Sequence, residues 1–253
     1  MTSTAPKAPL FEPISRAPAY HRVSAAIEQK ILRRTLRPGD PLPTETELAQ
    51  QFAVNRSTVR EALRHLESAG LVGRLPGGKR LLVTRPAQAD TASRVGRALA
   101  LDEVTFIELW EAMRAIAPRT AAIAAEHVDA EGVARLDAIV AAVESARDTE
   151  TVVEGVVAFF GSLAELSRNR VLILAMQPVT QLLAPSLRRM IDRVPQGRAR
   201  IVVAQRCIVE AMRTAKAEEA ESWMQRHVQD FRRGYELAGM PLDTRVGTFP
   251  TAE

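Results

Sequence analysis

A pair of short amphipathic segments within residues 43–69 constrains the fold more than any other part of the chain. Thr44 followed by Glu47 has the spacing of a capping box, so we expect a helix to begin there. Asn55 is suited to cap a second helix and Gly70 to end it. The apolar residues of that second helix recur at three- and four-residue steps: Val59, Ala62, Leu63 and Leu66. The pattern predicts two helices joined by a tight turn, with the apolar face of the second turned inward.

The start of the second helix carries side chains of the types that bind DNA. Five polar residues lie there: Asn55, Arg56, Ser57, Thr58 and Arg60. Arginine makes bidentate contacts to guanine edges, short polar side chains bond phosphates or other base edges, and a helix N-terminus favours an adjacent phosphate. These residues predict a helix-turn-helix whose second helix enters the major groove. An ordinary helical hairpin with a solvated second helix is the alternative that they leave open.

A basic β-hairpin is predicted after this helix pair. Two short strands, residues 71–75 and 79–84, flank a Pro-Gly-Gly turn. Such a hairpin can contact phosphates or a minor groove, although a lone basic hairpin is also common as a solvated loop. Upstream, residues 18–36 carry apolar side chains at helical spacing and supply a third helix. Three helices and a hairpin wing predict a winged helix-turn-helix.

The segment from Tyr20 to Val72 resembles the DNA-binding domain of the GntR superfamily of bacterial transcription regulators, nearly position by position. The PGD-x-LP turn, the ELA helix and the STVREAL start of the second helix carry the resemblance. The family commonly has an arginine where this chain has Thr46, so the operator is expected to differ from the family's usual pattern. The resemblance and the residue chemistry imply DNA contacts by Thr44, Thr46, Asn55, Arg56, Ser57, Thr58, Arg60, Arg64, Gly77, Gly78, Lys79 and Arg80.

Charge divides the chain into two parts. Residues 1–86 contain 14 Lys and Arg against 7 Asp and Glu, a net charge of +7, whereas the remainder, with 20 against 23, has a net charge of −3. The basic part carries the predicted helix-turn-helix, which favours electrostatic attachment to phosphates. No run of 18 apolar residues and no apolar signal core occur, and the single cysteine, Cys207, excludes an intrachain disulfide. We therefore expect a cytoplasmic protein without membrane contact.

The second part shows almost only helical periodicity, which makes the fold class mainly α and predicts an antiparallel all-helical bundle. Six helices are expected: 103–127, 130–147, 150–167, 169–193, 197–215 and 217–238. Proline is expected to kink or interrupt the fourth helix, at Pro178 and Pro185, and to separate it from the fifth, at Pro195. The expected organisation is a disordered arm at 1–16, the winged helix-turn-helix at 17–84, a linker and connecting helix at 85–101, the helical domain at 102–239 and a loose tail at 240–253.

Three segments of the helical domain resemble the FCD-type effector domain of the FadR subfamily: residues 109–128, 159–172 and 205–228. Many members of that subfamily hold a divalent metal with one Asp and three His. The matching positions of this chain are Val156, Phe160, Gln205 and His227. A single imidazole cannot supply the three or four ligands that zinc requires, so we expect a cavity without metal or other cofactor.

The resemblance implies that this cavity binds a small-molecule effector. Val156 and Phe160 make it apolar, which suits a fatty acyl or aromatic acid better than a small hydroxy acid. Arg114 matches an arginine of the subfamily's first effector helix and is expected to pair with an acidic group of the ligand, with an intraprotein salt bridge as its alternative. Gln205 and His227 are expected to hydrogen-bond the ligand's polar end, and the alternative for His227 is a hydrogen bond to a polar group of the core.

Together these features predict a transcriptional repressor that binds a palindromic double-stranded operator as a homodimer and responds to an effector. A metal-dependent regulator of small-carboxylate metabolism is the alternative. An enzyme with a DNA-binding appendage is disfavoured, because no nucleophile elbow, HExxH motif, Gly-rich phosphate loop or cysteine pair occurs. Glu108 and Glu111 have a spacing that is common on solvated helices. A sequence-independent DNA binder would not need a second domain.

Overall fold

The computed structural model describes residues 18–74, 77–78 and 80–246. The chain divides into two compact units, one ending at Ala87 and the other beginning at Gln88. Each unit has an apolar core of its own. Some parts of the sequence predictions lie outside the described residues: the arm at 1–16 and the adjoining residue 17, residues 75, 76 and 79 of the wing, and the end of the tail at 247–253.

Three helices and a two-stranded hairpin form the first unit: α1 (Ala19–Leu32), α2 (Glu45–Phe52), α3 (Arg56–Ser68), β1 (Val72–Arg74) and β2 (Leu81–Val83). The predicted winged helix-turn-helix is confirmed, although the described strands span fewer residues than expected. The strands pair antiparallel, with Gly73 opposite Leu82. Buried side chains of the helices and strands form one core, which includes Val23, Leu48, Val59, Leu66 and Val83.

Local hydrogen bonds determine where α2 and α3 begin. The Thr44 hydroxyl accepts from the backbone N–H of Glu47 at 3.3 Å, and the Glu47 carboxylate accepts from the backbone N–H of Thr44 at 2.7 Å. The predicted capping box is therefore present. Ala53, with a left-handed φ of 51°, ends α2. Asn55 occupies the N-cap of α3, but its side chain makes no hydrogen bond to the first turn of this fully described helix, so the expected side-chain cap is wrong and the exposed amide stays available.

The second unit is an all-helical bundle in its described residues, as predicted. Its helices are α4 (Gln88–Leu101), α5 (Phe106–His127), α6 (Ala130–Ser145), α7 (Thr149–Leu166), α8 (Arg170–Arg193), α9 (Gly197–Arg213) and α10 (Ala217–Leu237). Helix α10 packs along α5 and α9, α7 packs on α6 and α8, and α4 packs on α8. Within the described ranges, no helix is both long enough and apolar enough to cross a membrane.

Helix α8 continues through two prolines. Of the two outcomes expected at Pro178 and Pro185, a kink or an interruption, the interruption is wrong, because the helix is unbroken from Arg170 to Arg193. A proline inside a helix removes one N–H donor and crowds a carbonyl of the preceding turn, at a cost of about 3 kcal/mol. Burial of neighbouring apolar side chains offsets this cost, and those side chains are Met176, Val179, Leu183 and Leu187. Pro195 lies between α8 and α9, where a helix break was expected.

Residues 240–246 pack against the start of α5 and do not form the loose tail that the sequence predicts. Backbone N–H groups at the start of α5 donate to the carbonyls of Leu242 and Thr244 at 3.0 and 2.9 Å. These N–H groups have no partner within their own helix. Met240 and Val246 are buried. A segment without periodicity is thus held by the unpaired donors of a helix that lies far away in the sequence.

Candidate functional site

The residues predicted to contact DNA lie mostly on the exposed side of the first unit. We call the following exposed residues the recognition surface: Asn55, Arg56, Ser57, Arg60, Arg64, Gly77, Gly78 and Arg80. Thr44 is also exposed, whereas Thr46 and Thr58 are half-buried. The chain therefore presents four arginines around the start of α3 and the hairpin tip, a charge pattern that suits a phosphate backbone.

The two arginines nearest the start of α3 have different surroundings. Arg60 Nη2 lies 3.1 Å from Oε2 of Glu45 on α2, and its Nε donates to the same oxygen at 3.3 Å. An exposed ion pair contributes at most about 1 kcal/mol, so a phosphate or a base edge can replace the carboxylate at low cost. Arg56 forms no ion pair within the described part of the chain, so its guanidinium is available for DNA.

Thr44 has a local role in addition to its predicted DNA contact. Its hydroxyl donates to the Glu47 carboxylate at 2.8 Å. The backbone N–H and then the hydroxyl of Thr44 hold the pKa of Glu47 below its usual range, and the positive charge of Arg80 acts in the same direction. The positive charge of Arg80, beside the hairpin tip, is thus felt at the start of α2.

Five helices of the second unit, α5 and α7 to α10, line a cavity of about 280 Å³ that opens to solvent. Its walls are apolar and mostly buried, with contributions from Met113, Val156, Phe160, Leu183, Leu187 and Met190. His227 of α10 lines the same cavity. The fold thus brings three of the predicted effector-site residues together: Val156, Phe160 and His227.

His227 is the buried titratable group of this cavity. Its ring stacks on Phe160, with 5.7 Å between the ring centroids and an interplanar angle of 9°. Burial lowers the pKa of His227 from 6.5 to about 4, and the negative charge of Asp230 opposes that shift. The imidazole is therefore neutral at pH 7 and offers hydrogen bonding without a positive charge.

The fourth predicted residue of this group, Gln205, is fully buried on α9 but does not line the cavity. Neither polar atom of its amide has a hydrogen-bond partner among the described residues. Across the part of the chain that the structure describes, no three His, Cys, Asp or Glu side chains cluster where they could hold a metal ion. One imidazole beside Val156 and Phe160 does not fit the donor set of a divalent metal.

Arg114 lies apart from the cavity residues. Its guanidinium lies 5.5 Å from the centroid of the Trp110 ring, and Arg232 lies 4.8 Å from the same ring. Arg114 lines a separate surface pocket with Arg226 and Gln229. No salt bridge of Arg114 occurs among the described residues, so neither the expected contact with a cavity ligand nor the salt-bridge alternative finds support in this position.

The cavity is also lined by three charged residues, which the sequence analysis did not identify: Arg200, Asp230 and Arg233. Arg200 Nη2 lies 2.6 Å from Asp230 Oδ1 and joins α9 to α10. The three-residue spacing of Asp230 and Arg233 is common on exposed helical faces, so no local signal marks them. Only the packing of α9 beside α10 places their side chains at the cavity.

Glu108 caps the start of α5. Its carboxylate accepts hydrogen bonds from the hydroxyl and the backbone N–H of Thr105, at 2.6 and 2.8 Å. These two bonds, the hydroxyl first, hold the pKa of Glu108 below its usual range. The carboxylate is thus an ionised helix cap at the start of α5.

Comparison with known proteins agrees with the two-part architecture. Residues 19–79 match the family model described as bacterial regulatory proteins, gntR family, and residues 108–230 match the FCD domain. The chain is 29% identical over 233 residues to the HTH-type transcriptional repressor NanR of Salmonella newport. This match spans 90% of this chain and 89% of that protein. It is 44% identical over 79 residues to the NanR of Cronobacter sakazakii, where the match spans 31% of this chain but only 30% of the relative's length. The structure of a Streptococcus agalactiae GntR shares the fold, with a TM-score of 0.59 at 23% identity over 85% of this chain and 99% of that one.

Proposed function

The chain belongs to the gntR family of bacterial regulatory proteins and carries an FCD domain, and on this basis we propose that it is a cytoplasmic repressor controlled by a compact apolar organic acid. It is a DNA-binding transcriptional regulator. The NanR relatives are named as repressors, which supports repression as the direction of control. A two-fold symmetric homodimer would match the two half-sites of a palindromic operator.

Arg56 carries the DNA-binding half of the proposal. It is exposed in the first turn of α3, and no ion pair within the described residues occupies its guanidinium. The first N–H groups of a helix and its positive dipole end attract a phosphate. An unpaired arginine beside them can add a bidentate contact to a guanine edge, which contributes about 1–3 kcal/mol of base discrimination. Thr46, where the family commonly has arginine, makes a family-like contact at that position unavailable.

Single arginine substitutions test this half. Arg56→Ala and Arg60→Ala should each weaken operator binding roughly tenfold, because each removes a charge-assisted contact. Arg147→Ala is the matched control, since it removes the same charge from an exposed position in the other unit. Fluorescence anisotropy with an operator selected from random duplexes measures the affinities. Unchanged binding in both recognition-surface variants would refute the assignment of α3.

The apolar cavity of the second unit is the basis of the effector half of the proposal. Its volume of about 280 Å³ lies just below the 300–1,000 Å³ of typical small-molecule sites. This volume favours a compact acid over the long fatty acyl chain that the apolar substitutions alone would also suit. The neutral His227 supplies one hydrogen-bonding group beside the apolar walls. We place no metal in the proposed site, because Val156 and Phe160 replace two potential ligands with hydrocarbon.

Two measurements on the purified full chain test the effector half. Elemental analysis by mass spectrometry should find less than stoichiometric Zn, Ni, Mn and Co in protein prepared without chelators. Thermal melts should show an increase in Tm with compact apolar acids and no increase with small hydroxy acids, because only the former fill the cavity. One tightly bound metal per chain, with stabilisation by hydroxy acids, would favour the metal-dependent alternative instead.

A further inference from the structure

The effector cavity is apolar inside and basic where it opens. Val156, Phe160 and Met190 are buried in its walls. Arg200 and Arg233 also line the cavity, but both are exposed to solvent. A ligand that fills the cavity therefore contacts hydrocarbon along most of its length and meets guanidinium groups only at the opening, which we call the rim.

The two rim arginines differ in their partners. Arg200 forms its 2.6 Å ion pair with Asp230. Arg233 lies three residues further along α10 and forms no ion pair with any residue that the structure describes. The rim thus combines two positive charges with one negative charge. One guanidinium remains able to bind a carboxylate in the bidentate geometry that arginine favours.

The described interior of the cavity holds no cation for a carboxylate. His227 is neutral, since burial lowers its pKa to about 4, and its ring stacks on Phe160. The other buried lining side chains are apolar, apart from the hydroxyl of Thr180, which donates to carbonyls of its own helix. Burying an ionised carboxylate without a charged partner carries a large desolvation penalty. An acid should therefore leave its charged group at the rim.

We propose that Arg233 and Arg200 form an anion subsite at the rim, so that the effector binds with its apolar part inside and its carboxylate outside. This inference rests on the proposed effector function and specifies its ligand class, a monocarboxylate with a compact apolar body. Asp230 opposes binding, because it repels the ligand carboxylate and competes for Arg200. The N-terminus of α9, whose first residue Gly197 lines the cavity, adds a partial positive charge.

Matched acids and alcohols test this subsite on the full chain by isothermal titration calorimetry. The pairs are phenylacetate with 2-phenylethanol and hexanoate with 1-hexanol, whose apolar parts are alike. Arg233→Ala should weaken acid binding roughly tenfold, because a hydrogen bond to a charged group contributes about that factor, and should leave alcohol binding unchanged. Asp230→Asn should strengthen acid binding. Arg226→Ala is the matched control, an exposed arginine of α10 that does not line the cavity.

The outcomes separate the subsite from the cavity. An acid-specific loss in Arg233→Ala, with Arg226→Ala unchanged, supports the subsite. Equal binding of acids and alcohols to the unaltered chain, or an equal loss of both in Arg233→Ala, overturns the subsite while leaving the cavity as an apolar binding site. Absence of binding by all four compounds overturns the effector cavity, and the subsite with it.

Discussion

Acidification should destabilise the helical unit through His227. The pKa of this imidazole is about 4 in the folded chain, because burial disfavours its charged form, against 6.5 when it is solvated. The unfolded chain therefore binds the proton first as the pH falls, so the contribution of His227 is complete above pH 6.5 and is lost between pH 6.5 and 4. At up to about 1.4 kcal/mol per pH unit, the loss is on the order of 2 kcal/mol between pH 7 and 5 and about 3 kcal/mol over the whole window.

Urea unfolding at pH 7, 6 and 5 measures this loss. Both tryptophans, Trp110 and Trp223, lie in the helical unit, so their fluorescence reports on that unit without interference from the DNA-binding one. His227→Gln provides the comparison, because it removes the titrating group while other acid-sensitive groups stay in place. The free energy of unfolding should fall about 2 kcal/mol more in the unaltered chain than in the variant. Equal falls in both proteins would refute the buried neutral state of His227.

Three further variants test the cavity and the recognition surface. A Cβ at Gly234 would lie 2.5 Å from Sδ of Met190, so Gly234→Ala should push that flexible side chain into the cavity and weaken ligand binding several-fold by calorimetry. Gly161→Ala on α7 is its control, since nothing lies within 4 Å of the added methyl group, and equal losses in both would contradict the reasoning. Glu45→Gln should strengthen operator binding up to about fivefold, because it releases Arg60 and removes a negative charge near the phosphates. Fluorescence anisotropy measures this change. Arg56→Ala should make the dependence of log K on log salt shallower by about one unit, and an unchanged slope would remove Arg56 from the phosphate contacts.

The first unit was predictable because its signals are local. The capping box of Thr44 and Glu47 spans four residues, and the spacing of Val59 and Leu66 reflects one helical face. Such patterns specify the helices and their inward faces without knowledge of distant contacts. The partner of Arg60 was not predictable in the same way, because Glu45 lies on another helix and approaches only when α2 packs on α3.

The second unit shows what periodicity leaves undetermined. Helical spacing predicted the bundle, and the resemblance placed Val156, Phe160 and His227 in one cavity, which the fold also does. Arg114 was expected in that cavity, but the orientation of α5 places it beside Trp110 instead. The position of the rim residues and the packing of residues 240–246 depend on contacts between segments that are far apart in the sequence. Local sequence patterns therefore do not predict them.

The central claim is that a ligand in the cavity controls sequence-specific DNA binding. Measuring the affinity for operator DNA with the cavity empty and with the cavity saturated tests it most directly. The operator is selected from random duplexes, and the ligand is the tightest acid of the calorimetric series. We expect the selected duplex to bind at least ~10³-fold more tightly than random DNA. Saturation with the acid should change that affinity by roughly fivefold or more, since a regulatory ligand must prefer one of two DNA-binding arrangements. No preference for the selected duplex, or an affinity that stays the same when the acid saturates the cavity, would contradict the account.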